Sequence, residues 1–194
     1  MKKYFPLQSG FTLVEVLVSI TLLLLVIVGP MQILTRANHS TAFATEQMTA
    51  WFLAQEGLEL AQNGRDGYLL QYFKGDIPDP WHDFKTGSFA TCFAGPGCGF
   101  SIDEDGVLTA DTCDNLGGGG CQLYLDTTSS RMSYTHDSSG GHVKQPYSRV
   151  IHMTETGAGR EILVTSTVTW RTGSLIASQQ VVTSTYLFNV YDTN

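Results

Sequence analysis

Apolar positions along this 194-residue chain follow three different patterns. From Phe11 to Val28 they are nearly continuous: FTLVEVLVSITLLLLVIV, eighteen residues with Glu15 as the single charge. As a helix this stretch rises roughly 27 Å, close to the thickness of a bilayer's hydrocarbon core. Beyond it, Ile33, Leu34, Ala37, Ala44, Met48, Trp51, Phe52, Leu58 and Ala61 recur at helical spacing, with Arg36, Asn38, Gln47, Gln55 and Glu59 between them. From Glu161 to Thr172 the period falls to two. Ile162, Val164, Ser166, Val168 and Trp170 share one face, and Leu163, Thr165, Thr167, Thr169 and Arg171 the other. That alternation, rich in β-branched residues, is the signature of a half-buried strand.

These patterns predict an α+β protein: a long, kinked N-terminal helix packed against a C-terminal antiparallel β-sheet. The kink is expected at Gly29-Pro30, because an interior proline removes one helical hydrogen bond and clashes with the preceding turn. A helix from Phe11 to about Gln62 would be on the order of 78 Å long. Asn63-Gly64 supplies a stop, since glycine readily takes the left-handed conformation at a helix C-terminus. Trp51 and Phe52 are expected to pack against the head. Thr172-Gly173 reads as a turn, Ser174–Tyr191 as the returning strand of a hairpin, and Tyr147–Thr154 as a further strand with Ile151 and Met153 on one face. The intervening segment, punctuated by Gly, Pro, Asp and Ser, reads as irregular. The organisation expected is a leader at 1–10, an apolar helix at 11–30, an amphipathic helix at 31–64, a loop region at 65–146 and an antiparallel sheet at 147–194.

Charge and cysteine content refine this picture. The formal net charge is −7 and the eleven Lys and Arg residues are scattered. A chain without a basic stripe lacks the electrostatic footprint of a nucleic-acid binder, so no nucleic-acid partner is expected. Lys2 and Lys3, ahead of the apolar run, favour a cytoplasmic N-terminus and an exported C-terminus in a single-pass membrane protein. Cys92, Cys98, Cys113 and Cys121 lack the two close pairs of a zinc site. An even number in a Gly-rich region fits disulfides in an oxidising compartment. Three connectivities are possible; the hypothesis adopted is two local bridges, Cys92–Cys98 and Cys113–Cys121.

A secretory signal is the competing reading of the N-terminus, with a cleavage site near Ala42 and Ala44. The apolar run is long for that, and the residues before it point elsewhere. Glu15 inside an apolar helix costs roughly 2.5–3.5 kcal/mol on insertion scales, so it calls for a partner or a function. Nearness to the helix N-terminus eases one carboxylate taken alone. It does not account for the glycine, phenylalanine and threonine in front of it.

Gly10-Phe11-Thr12-Leu13-Val14-Glu15 followed by an apolar helix resembles the prepilin motif of type IV pilins and type II secretion pseudopilins. The resemblance implies cleavage after Gly10 by a membrane prepilin peptidase, N-methylation of Phe11 as the new N-terminus, and a role for Glu15 in assembly through a neighbouring subunit's N-terminal amine. It also implies other pilin or pseudopilin subunits, an inner-membrane assembly platform and membrane lipid as partners, and a periplasmic or extracellular filament as the destination. Leu53-Ala54-Gln55-Glu56-Gly57-Leu58-Glu59 more softly resembles stretches of bacterial prepilin-like proteins of undefined role.

No catalytic constellation stands out. His39, His82, His136, His142 and His152 are spread out without metal-binding spacing, and no Ser occupies a G-x-S-x-G elbow. His136 and His142 read as exposed loop residues, Glu56 and Glu59 as a solvated helix face. Gly117–Gly120 lacks the Lys-Ser or Lys-Thr of a phosphate loop, and Asp103-Glu104-Asp105-Gly106 lacks the alternating ligands of an EF-hand. The expectation is a non-enzymatic structural subunit, of the minor class, that needs no cofactor or metal. A pilus-associated adhesin or ligand-binding minor pilin acting through its head is the alternative, and a membrane-tethered exported enzyme a remote one.

Overall fold

The computed structural model describes residues 10–102, 107–114, 120–128, 132–171 and 177–190. The turn expected at Thr172-Gly173, the acidic run at 103–106, Gly117–Gly119 and the lysines of the leader lie outside them. The chain divides into two compact units, Met1–Thr45 and Glu46–Asn194.

Helix α1 runs Leu13–Lys74. It begins where Thr12 acts as N-cap, its Oγ1 accepting from the Glu15 backbone N–H at 3.3 Å. In the first unit every described residue through Ala42 is exposed. Helical assignment continues through Gly29 and Pro30.

In the second unit the helix follows a different rule. Its buried positions are Ala50, Leu53, Ala54, Gly57, Ala61 and Gly64, a seam of small residues along one face. Small side chains there let the helix backbone approach the sheet closely. A Cβ on Gly57 would stand 2.7 Å from both Ile151 Cδ1 and Ser166 Oγ, and one on Gly64 would enter the Phe89 ring. Two expectations are corrected by this seam. Gly64 does not stop the helix; it sits inside it, used for close approach. Trp51 and Phe52 are not packed on the sheet but 48% and 64% exposed, because they point away from a face too tight for large rings. The true end comes eleven residues after Asn63. Gly75, at φ +82°, donates to the Tyr72 carbonyl (3.0 Å) while Asp76 N–H reaches back to Gln71 (3.0 Å), the paired closure of a left-handed helix cap.

The 65–146 region holds more regular structure than its composition indicates. Helix α2, Pro80–Thr86, starts with proline in its first turn and Asp79 as N-cap, whose carboxylate accepts from the Trp81 and His82 N–H groups at 3.1 and 2.9 Å. A 3-10 turn at Ala90–Phe93 leads to strands β1 (Cys98–Ile102), β2 (Leu108–Thr112), β3 (Gln122–Asp126) and β4 (Ser133–Thr135). The longer strands follow: β5 (Val143–Thr156), β6 (Glu161–Trp170) and β7 (Gln179–Phe188).

All seven strands join one antiparallel sheet. The 14-residue β5 is its organiser: β6 pairs along it from Tyr147↔Trp170 to Thr156↔Glu161, while β1 and β3 pair with it too. β6 alternates as its sequence demands, with Ile162, Val164, Ser166, Val168 and Trp170 all buried. The C-terminal hairpin forms as β6 against β7, in register from Glu161↔Phe188 to Trp170↔Gln179.

The core has two clusters. One gathers Trp81, Phe84, Phe89 and Phe100 with Ile151, Ile162, Val164 and Leu187; the Phe84 and Phe89 ring centroids are 4.9 Å apart. The other holds Ala50, Leu53, Ala54, Leu123, Tyr147, Val168, Trp170 and Val181. Along the buried face of β5, Arg149 falls between Tyr147 of one cluster and Ile151 of the other; on β6, Ser166 falls likewise between Val168 and Val164. Two buried polar side chains therefore mark where the clusters meet.

Disulfides staple the irregular part. Cys92–Cys98 ties the 3-10 turn to the start of β1, and Cys113–Cys121 ties the end of β2 to the start of β3. Among the described residues no cysteine is free.

Candidate functional site

Two places in the chain concentrate chemistry. The first is the N-terminal end of α1. Gly10 and Phe11 precede the first helical residue, and Phe11 is 82% exposed. A peptide bond outside the helix and open to solvent is what a peptidase needs. Thr12-Leu13-Val14-Glu15 has the Thr-x-x-Glu form of a capping box, so Glu15 occupies the third helical position. The threonine half of that box is formed. No hydrogen bond or ion pair engages the Glu15 carboxylate among the described residues.

Around Glu15, Phe11 is followed by Leu13, Val14, Val16, Leu17, Val18, Ile20 and the run Leu22–Val28, all exposed. An apolar helix in which large side chains project all round is made for an apolar environment outside its own chain. By length and composition this helix is able to cross a membrane.

The second place is inside the head, where α1 meets β5. Arg149 is fully buried, and its Nη1 donates to Glu56 Oε2 at 2.6 Å and to the Leu53 carbonyl at 3.1 Å. Burial lowers the Arg149 pKa while Glu56 raises it in part. Its Nε and Nη2 have no partner among the described residues, so Glu56 and Leu53 carry the compensation. Glu56, 39% exposed at its side chain, is therefore not a member of a solvated face. Sequence reading missed this pair because its members stand 93 positions apart.

His136 is another correction: it is buried, not an exposed loop residue. Its Nδ1 lies 3.2 Å from the Gln122 carbonyl, and burial, reinforced by the Arg149 charge, lowers its pKa to about 4. His142 lies on an open polar groove with Asp126, Asp137, Thr109 and Thr135. Its Nδ1 meets the Asp137 carbonyl at 3.1 Å and its Nε2 the Asp126 carboxylate at 3.4 Å. The Asp137 carboxyl is held below its ordinary pKa by the Ser139 hydroxyl and N–H. Among the described residues no three His, Cys, Asp or Glu side chains are grouped to hold a metal ion.

Against this geometry, residues 6–29 match the prokaryotic N-terminal methylation motif. The match covers Gly10, Phe11, Glu15 and Gly29, and ends one residue before Pro30. No curated protein and no solved structure is matched by the chain. The chain thus carries the signature of type IV pilins and pseudopilins, extending from residue 6 into the exposed apolar helix. That motif implies processing by a prepilin peptidase and assembly with other pilin subunits, and with the apolar helix it fits a membrane-anchored protein.

Proposed function

We propose that this chain is a structural subunit, of the minor class, in a type IV pilus-like filament or a type II secretion pseudopilus. A prepilin peptidase cuts after Gly10, Phe11 becomes the methylated N-terminus, and the apolar helix carries the chain from the inner membrane into the filament. The observation that supports this reading is the methylation motif at residues 6–29, which runs into a helix whose apolar side chains find no partners in their own unit. Glu15 supplies the assembly contact. An unpartnered carboxylate in an apolar helix gains most from a cation, and the new amine of a neighbouring subunit is one. The minor assignment draws on the size of the head, where α2, four short strands and two disulfides precede the long hairpin.

Coexpression with a prepilin peptidase tests the reading. Mass spectrometry of the product is expected to show a mature chain beginning at Phe11 with one added methyl group. An intact chain, or cleavage near Ala44, would overturn it. In assembling cells Glu15→Ala should still be cut after Gly10 but be depleted from purified filaments.

A further inference from the structure

Where α1 begins is set locally. Every described residue through Ala42 is exposed, so no packing within the chain fixes the helix start. Two hydrogen bonds converge on Thr12 instead. Its Oγ1 accepts from the Glu15 N–H at 3.3 Å, and its carbonyl accepts from the Val16 N–H at 3.2 Å. A residue whose carbonyl takes the first helical bond while its hydroxyl takes a first-turn N–H is an N-cap. Leu13 is accordingly the first helical residue, and the Gly10–Phe11 peptide bond lies one residue ahead of the cap.

The margin at this boundary is small. Ser9, three positions before Thr12, is also of N-cap type by its sequence. A helix begun there would take Gly10, Phe11 and Thr12 into its first turn. The Gly10 carbonyl, which a peptidase has to attack, would then be hydrogen-bonded to the Val14 N–H along the helix axis. Gly10 opposes that start because glycine is a poor helix residue. Beyond its chain neighbours nothing stands within 4 Å of where a Gly10 Cβ would be, so no contact adds to that preference. Thr12 supplies the positive half of the control, since a residue serving as cap holds the backbone before it out of the helix.

We propose that Thr12 is a positioning residue for processing: by capping α1 it keeps the Gly10–Phe11 bond in non-helical backbone and leaves the new Phe11 amine outside the helix for methylation. The inference rests on the reading of this chain as a prepilin peptidase substrate. It also divides the labour within the motif. In a complete capping box the Glu15 carboxylate would turn back to the Thr12 N–H. That half is not formed, so Thr12 caps alone and the Glu15 carboxylate stays available to a neighbouring subunit.

The test follows the initial rate of cleavage of the full chain in membranes containing a prepilin peptidase. Thr12→Val keeps the branched shape and removes the hydroxyl. Thr12→Asn changes the shape and restores a cap of comparable strength. The valine variant is expected to be cut more slowly, by up to about fivefold, the factor by which losing a typical cap shifts a helix-start equilibrium. The asparagine variant should be cut at nearly the unaltered rate. Adding Ser9→Ala to Thr12→Val removes the rival cap and should recover much of the lost rate. A Thr12→Val chain cut as fast as the unaltered one overturns the inference. So does a Thr12→Asn chain cut as slowly as Thr12→Val, because the peptidase would then be reading the threonine itself. A double variant no faster than Thr12→Val overturns it too, since Ser9 would not be the competing start. An unaltered chain that stays intact is a different failure: it refutes the processing and not the role of Thr12 within it.

Discussion

The two units of this chain use one helix under opposite rules. In Met1–Thr45 the helix carries large aliphatic residues on every side and buries none of them within its unit. In Glu46–Asn194 its inward face is stripped down to Ala50, Ala54, Gly57, Ala61 and Gly64, and nearly everything buried there is small. The contrast shows what each part is built to meet. Bulky apolar residues all round suit a deformable partner, lipid or a bundle of like helices, which fills whatever shape it is given. A smooth seam suits one rigid partner whose shape is already set, here the inner face of the sheet. Packing energy then comes from the sheet's own side chains, and a contact between Glu56 and the buried Arg149 joins the helix to β5.

The sharpest way to separate the units is to disable one and watch the other. Gly10→Val should abolish cleavage by the prepilin peptidase, an all-or-none effect on a gel, while the Tm of the head stays unchanged. A drop in Tm would mean that the N-terminal segment contributes to the head. Conversely, loss of both disulfides, through Cys92→Ser, Cys98→Ser, Cys113→Ser and Cys121→Ser together, should strike only the head. Loop-closure entropy for such short loops is worth about 2.5 kcal/mol per bridge, so denaturant unfolding should lose several kcal/mol. Cleavage at Gly10 in the same variant should persist.

An effect of intermediate size comes from His136. Its folded pKa of about 4 lies below the ordinary 6.5, so between these values the unfolded chain binds the extra proton. The stability this group contributes is complete above pH 6.5 and is lost progressively as pH falls toward 4, on the order of 2–3 kcal/mol over that window. His136→Gln should flatten this part of the stability profile measured by denaturant titration at each pH. The lowered Asp137 works in the same direction only at more acidic pH, and its slope should remain in the variant. The smallest effect expected is at the seam. Gly57→Ala gains about 1 kcal/mol of helix propensity. Its new methyl group presses on Ile151 and Ser166, at a typical overpacking penalty of about 1–3 kcal/mol. The net change in the head should be a modest loss by thermal unfolding, and a gain would show that the sheet yields more readily than its close contacts indicate.

How legible the protein was depends on the range of the interaction involved. The N-terminal signal was readable because it is written in consecutive residues: a glycine, a glutamate five positions on, and an apolar run whose length is measured against a bilayer. β6 was readable because ten residues of alternation outlast chance; β7 was read as its returning partner, and β5 over Tyr147–Thr154 only, short of its full span Val143–Thr156. β1 to β4 were not, since three to five residues give too few periods to tell a strand from a loop. Gly64 was misread for a related reason. A glycine near a helix end and a glycine under a neighbouring ring look alike until the ring's position is known, and Phe89 lies 25 residues further along. The partner of Glu56 lies on a strand 93 positions away, and nothing local marks Arg149 as buried.

The sequence by itself displayed the methylation motif and an apolar run long enough to cross a membrane, because both are written in contiguous residues and one is measured against an environment of known thickness. It also determined that a hairpin of long alternating strands would close the chain. Only the tertiary structure decided which helix face is inside, that Trp51 and Phe52 are outside, and that a carboxylate on α1 answers a guanidinium in the core. These depend on how closely two backbones approach. That distance is set by small residues whose meaning is fixed only by what lies across from them.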